Sequence, residues 1–204
     1  MSQAPTQQDI YHLDKARVRA SFDRASNTYD AAAVMQKLVR EEMLSRLDLV
    51  SMQPARILDA GCGTGHASHV LIQKYPQAQV VSLDLAMGML YKTQSMNTSL
   101  TQRIKQTLGF NKQHLLCADI EQLPMADASL DMVWSNLAIQ WCNDLDAAFT
   151  DMHRVLRTDG LLTFSTLGPD TLKELRAASS VDGEHVHVSR FIDMHDIGDA
   201  LEIG

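Results

Sequence analysis

The chain has 204 residues, 45% hydrophobic and 21% charged, with a formal net charge of −7 at pH 7. That length buries a core for one stable domain, and the acidic balance argues against a nucleic-acid-binding role, which needs a basic face. No apolar run is long enough to span a bilayer, the polar start lacks a leader's charged-then-apolar pattern, and Cys62, Cys117 and Cys142 form no C-x-x-C pair, so a cytoplasmic protein with reduced thiols and no metal or membrane partner is expected.

Residues 1–13, with several Gln and a Pro, predict a frayed start. Helical spacing begins at Asp14, and Val34, Met35, Leu38, Val39, Met43 and Leu47 form the stripe of an amphipathic helix that stops near Pro54. The chain divides on this pattern into a helical segment, 1–50, and a main domain, 51–204. The period then changes: Arg56–Ala60 reads as a strand running into Gly61-Cys62-Gly63-Thr64-Gly65, and Ala67, Val70 and Leu71 restore helical spacing. Residues 80–83, 115–118, 132–135 and 161–164 are further short apolar runs suited to strands buried on both faces. Between the last two, Leu145, Ala148, Phe149, Met152, Val155 and Leu156 predict a helix over 144–157, ended by the turn pair Asp159-Gly160. A helix over 170–179, a polar loop and a last helical segment follow. Such alternation specifies a Rossmann-like α/β fold, a five-stranded parallel sheet with helices on both faces.

The chemistry-bearing residues fall at the carboxyl ends of these strands. Glycines after a first strand allow a tight turn and a close approach of backbone to ligand, ahead of unpaired N–H groups on the next helix. The spacing here is G-x-G-x-G, and His66 stands where a dinucleotide fingerprint wants its third glycine. Asp84 ends the second strand about 20 residues on, where a ribose hydroxyl pair would be held, although an Asp there also caps helices. Asp119 follows the third strand and Asn136 ends the fourth. Polar groups at consecutive strand ends mark a binding crevice.

As an ordered set, residues 57–65, Asp84, residues 118–124 and residues 154–160 resemble the successive motifs of class I methyltransferases. The resemblance covers roughly residues 50–167 and implies S-adenosyl-L-methionine as cofactor. It places Asp59, Gly61, Gly63 and Gly65 at the methionine part, Asp84 and the adjacent Leu85 at the ribose, and Asp119 and Ile120 at the adenine. Asn136 would border the sulfonium and the acceptor. It also implies two further strands at the C-terminal edge, so that the 51–204 unit looks incomplete.

The flanks resemble a narrower family. Residues 15–30, with Phe22, Ala25 and Tyr29, residues 135–142 and residues 164–167 are similar to the malonyl-acyl-carrier-protein O-methyltransferases of biotin synthesis. The methyltransferase-like assembly factor of mitochondrial complex I, an arginine hydroxylase, shares similar pieces, including residues 168–176. Another small-metabolite methyltransferase is a further alternative. In the biotin-synthesis reading Tyr29 covers the cofactor near the acceptor, and the segment before Ala31 acts as a lid. Arg190 would hold a malonyl carboxylate through two parallel hydrogen bonds, though surface charge is the commoner role of an Arg. Gln140-Trp141 either lines the acceptor pocket or packs, and His185 and His187 read as a solvated loop. Six basic residues (Lys15, Arg17, Arg19, Arg24, Lys37, Arg40) face three acidic ones (Asp14, Asp23, Asp30) between positions 14 and 40, a net of +3 that suits an acidic acyl carrier partner.

Overall fold

The computed structural model describes residues 12–96, 113–174, 191 and 193–203. The elements run α1 (Lys15–Ala25), α2 (Tyr29–Ala32), α3 (Val34–Arg46), β1 (Arg56–Ala60), α4 (His66–Lys74), β2 (Gln79–Asp84), α5 (Met87–Met96), β3 (Gln113–Cys117), β4 (Leu130–Asn136), α6 (Leu145–Val155), β5 (Leu156–Ser165) and α7 (Met194–Ile203). The strands form one sheet in the order β3-β2-β1-β4-β5, every pairing parallel. From β1 the chain winds outward through β2 to β3, then returns to β4 on the other side. A crevice is therefore expected beyond the carboxyl ends of β1 and β4, where the winding reverses.

Alternation along the strands feeds two cores. Leu58, Leu83 and Val133 point to one face, packed with Phe149, Met152 and Val155 of α6. Ile57, Val80, Met132 and Trp134 point to the other, with Leu71 of α4 and Met43 of α3. Helix α3 thus joins the sheet, whereas α1 and α2 contain no buried residue.

Two expectations are corrected. Burial on both faces holds for β1, β2 and β4 but not at the edges, where Leu115 of β3 is 37% exposed and β5 is half-buried, because an edge strand has a sheet neighbour on one side only. The pair Asp159-Gly160 does not end the helix. α6 stops at Val155, Leu156 is already extended (φ −73, ψ 136), and Asp159, at φ +63, lies within β5 where pairing with β4 shifts register between Leu130 and Met132. Asp144 caps α6 by accepting from the Ala147 amide at 2.9 Å. Near the helix's other end Arg154 binds Asp151 at 2.7 Å and the carbonyls of Met125 (2.7 Å) and Leu123 (2.9 Å), fixing the loop after β3. Of the frayed start expected over 1–13, residues 1–11 fall outside the described residues, as do most of the helix expected over 170–179 and the polar loop, whereas Leu13 is held by Asn143.

Candidate functional site

At the reversal point the carboxyl ends of β1–β4 open into a cleft that encloses about 640 Å³ of empty space, its solvent-open mouth included. Its floor begins at Gly61, whose φ is +78 and whose position admits no side chain, since a Cβ there would lie 2.3 Å from that of Ala138. The amides of Gly61 and Cys62 both donate to the Leu83 carbonyl at 2.8 Å, drawing the turn against β2. One residue on, the Gly63 amide donates to Asp84 Oδ2 at 2.8 Å, while Asp84 Oδ1 accepts from the Ala86 amide at 2.8 Å. Asp84 therefore organises the chain entering α5 and borders the cleft at the same time. Burial pushes its pKa above the ordinary carboxylate value.

Beyond β3, Asp119 Oδ1 accepts from Lys15 Nζ at 3.0 Å and from the Glu121 amide at 3.1 Å. At the end of β4 the Asn136 carboxamide donates to the Gln36 carbonyl (3.2 Å) and accepts from Ser165 Oγ (3.1 Å), joining α3, β4 and β5. The next residue, Leu137, holds φ +50, an uncommon value for a branched side chain. Its amide meets the Ser165 carbonyl at 3.1 Å and the Ser165 hydroxyl at 3.0 Å, which fixes that turn.

The roof comes from α1 and α2. Lys15, Val18 and Phe22, spaced three and four apart, present one helical face to the cleft beside Tyr29. Phe22 packs edge-on to Tyr29 (6.2 Å between centroids) and to Trp141 (5.2 Å, 88°). Burial first, then the charges of Asp84 and Asp30, raise the Tyr29 pKa, so the hydroxyl stays a neutral donor. Burial likewise pushes the Cys142 thiol up to about 12 and the Cys62 thiol well above its ordinary range, leaving both protonated and inert. Polar latches hold the roof down: the Gly88 amide donates to Asp23 at 2.7 Å, Thr64 Oγ1 donates to Asp30 at 2.6 Å, and the Leu13 amide donates to Asn143 at 2.7 Å.

Of the residues singled out in the sequence, Tyr29, Gly61, Gly63, Asp84, Leu85, Asp119, Ile120 and Asn136 border this cleft. Asp59 and Gly65 do not. Asp59 is 1% exposed and accepts from Ser68 Oγ at 2.5 Å, and burial raises its pKa to about 7. Gly65, at φ +86, packs against Thr93. Arg190, His185 and His187 lie outside the described residues. Lys15, Met89 and Cys142 were not expected as lining residues. For Lys15 the helical spacing to Val18 and Phe22 was the available signal. Much of the basic patch is internally paired: Arg17 with Asp14 (3.4 Å), Arg19 with Asp23 (4.0 Å), Lys37 with Glu41 (3.9 Å). Among the described residues no helix is long and apolar enough to cross a membrane.

Comparison with known proteins agrees with this geometry. A family profile described as a methyltransferase domain matches residues 58–164. The malonyl-[acyl-carrier protein] O-methyltransferase of Methylovorus sp. is 66% identical over 193 residues, which is 95% of this chain and 64% of that protein. The protein of the same name from Gallionella capsiferriformans is 56% identical over 189 residues, 93% of this chain and 64% of its own length. The chain thus spans somewhat under two thirds of these relatives. Among solved structures, phosphoethanolamine N-methyltransferase 2 of Haemonchus contortus, in complex with S-adenosyl-L-methionine, superposes with a TM-score of 0.60 at 19% identity, over 80% of this chain and 36% of that one.

Proposed function

The chain belongs to the methyltransferase-domain family, and on that premise we propose that it transfers a methyl group from S-adenosyl-L-methionine to the free carboxylate of a malonyl group on an acyl carrier protein, the step that its likeness to the biotin-synthesis enzymes suggests. The observation that carries the cofactor half is the donor set of the cleft. Gly61 and Gly63 leave backbone exposed on the floor where a methionyl group would lie, and the buried Asp84 carboxylate fits a ribose diol. Asp119 stands apolar-flanked by Ala118 and Ile120, the setting of a nucleobase with an exocyclic amine. Asp59 would act through the β1 turn rather than by contact.

When bound, this cofactor supplies a methyl group already activated by a positive sulfur. What remains for the chain is alignment and exclusion of water. Phe22, Tyr29 and Trp141 line the cleft as one aromatic cluster that can exclude water. A malonyl carboxylate is ionised at neutral pH, so no general base is called for, and the protonated Tyr29 hydroxyl suits it as a hydrogen-bond donor. Arg190 remains the proposed clamp for the carboxylate, and the exposed cations of α1 the proposed docking face for an acidic carrier.

Two measurements test this reading. Calorimetry should show S-adenosylhomocysteine binding that Asp84→Ala weakens by about 1–3 kcal/mol, the loss of charged hydrogen bonds to a ribose. Labelled methyl should appear on malonyl-carrier as a base-labile ester, and Arg190→Ala should lower kcat/KM by about 2 kcal/mol with cofactor affinity nearly unchanged. Binding of NAD without S-adenosylmethionine would overturn the cofactor assignment. Methylation of other carboxylates but never malonyl-carrier would overturn the acceptor.

A further inference from the structure

Lys15 sits in the cleft wall with its side chain 25% exposed, its ammonium 3.0 Å from Asp119 Oδ1 and 3.2 Å from Glu121 Oε2. The second of these carboxylates is committed elsewhere as well. Glu121 Oε1 accepts from the Asp144 amide at 3.1 Å and from the Asn143 amide, which ties it to the entrance of α6. Asn143 in turn exchanges two hydrogen bonds with Leu13, two residues ahead of Lys15, at 2.7 and 3.0 Å. The start of α1, the end of β3 and the start of α6 therefore meet around one ammonium group.

That arrangement divides the two oxygens of Asp119. Oδ1 takes both the ammonium and the Glu121 amide, which fixes the carboxylate's rotation, while no hydrogen bond from the described residues engages Oδ2. An ionised carboxylate has about four lone-pair sites, so an oxygen held in this way still accepts a strong bond from an N–H donor. Without the ammonium, Asp119 and Glu121 would repel each other across the space that Lys15 now fills, and the carboxylate would turn away.

We propose that Lys15 is a positioning residue for nucleobase recognition: it holds Asp119 with one oxygen free for the exocyclic amine of the cofactor's base. This rests on the reading of Asp119 as the adenine contact. Because Lys15 belongs to α1, recognition of the base and seating of the roof become a single event.

A double-mutant cycle between protein and ligand tests the proposal. Dissociation constants of S-adenosylhomocysteine and S-inosylhomocysteine, in which a carbonyl replaces the amine, are compared for the unaltered chain, Lys15→Met and Lys15→Arg. The unaltered chain should prefer the adenosyl ligand by about tenfold or more, the worth of a hydrogen bond to a charged group. Lys15→Met should bring that preference within about twofold, and Lys15→Arg should keep most of it. Thermal melts establish that each variant is folded. Equal weakening of both ligands by Lys15→Met, with the preference intact, would show that Lys15 only packs the roof and would overturn the proposal. Absence of any preference in the unaltered chain would instead overturn the reading of Asp119, and the role of Lys15 with it.

Discussion

The floor and the roof of the cleft are built on opposite terms. Ile57, Leu58, Val80, Leu83 and Val133 of the central strands are each 0% exposed, so the floor rests on apolar burial and a shared ladder of backbone hydrogen bonds. Helices α1 and α2 bury no residue and are pinned by separate polar contacts from Lys15, Asp23 and Asp30. A floor of the first kind is rigid and insensitive to salt. A roof of the second kind costs little to lift and responds to ionic strength. The contrast suits a site in which backbone must be preorganised around a ligand while the cover still opens to admit it.

The comparison breaks most visibly in the floor. Phe149→Ala, at a side chain 2% exposed beneath the sheet, should lower the free energy of unfolding by about 3–5 kcal/mol in denaturant titrations. A loss as small as that expected in the roof would erase the distinction. The floor also holds a charge that works against it. Burial raises the folded-state pKa of Asp59 to about 7; stability from this group is therefore complete below its unfolded pKa of roughly 4 and is lost as pH rises through about 7. Relative to Asp59→Asn, the unaltered chain should thus lose on the order of 3 kcal/mol between pH 4 and pH 8, and a difference independent of pH would contradict it.

Gly61→Ala comes next, at about 2 kcal/mol of strain, from the left-handed φ and the approach to Ala138. Calorimetry should find cofactor affinity reduced with the fold retained. The smallest effect belongs to the roof: Asp23→Ala removes the acceptor of the Gly88 amide and should change global stability by about 1 kcal/mol. Hydrogen exchange over residues 13–30 should nevertheless rise, and rise further in added salt, while β1 and β4 stay protected. Equal protection of both regions would mean that the roof belongs to the core.

What the sequence showed and what it hid follow the same division. Strands that bury both faces declare themselves by composition, so β1 was placed at its observed limits and β2 and β4 within two residues of theirs. The long β5 was not, because its early start depends on pairing between Leu156 and Leu130, and no local pattern announces a partner in another strand. That Asp84, Asp119 and Asn136 would border a cleft was legible because their position at strand ends in the βα units fixes their direction. Lys15 was not, since its meaning lies in Asp119, 104 residues away. Its neighbours in sequence made it look like one more member of a basic surface. Asp59 went the other way: the motif singles it out, yet a side chain in the middle of the sheet turns toward Ser68 and the helix behind it, and does not reach the cleft.

The latch between Leu13 and Asn143 spans 130 residues, and that between Lys15 and Asp119 spans 104. On a growing chain α1 precedes all five strands; its partner Gly88 in α5 follows it soon, but Asp119 emerges only after β3 and Asn143 only after β4. Closing such long loops is entropically costly and returns only a few polar contacts, so α1 has no place in a folding nucleus. These two long-range latches therefore close late, and until they do the roof is not fully seated over the cleft.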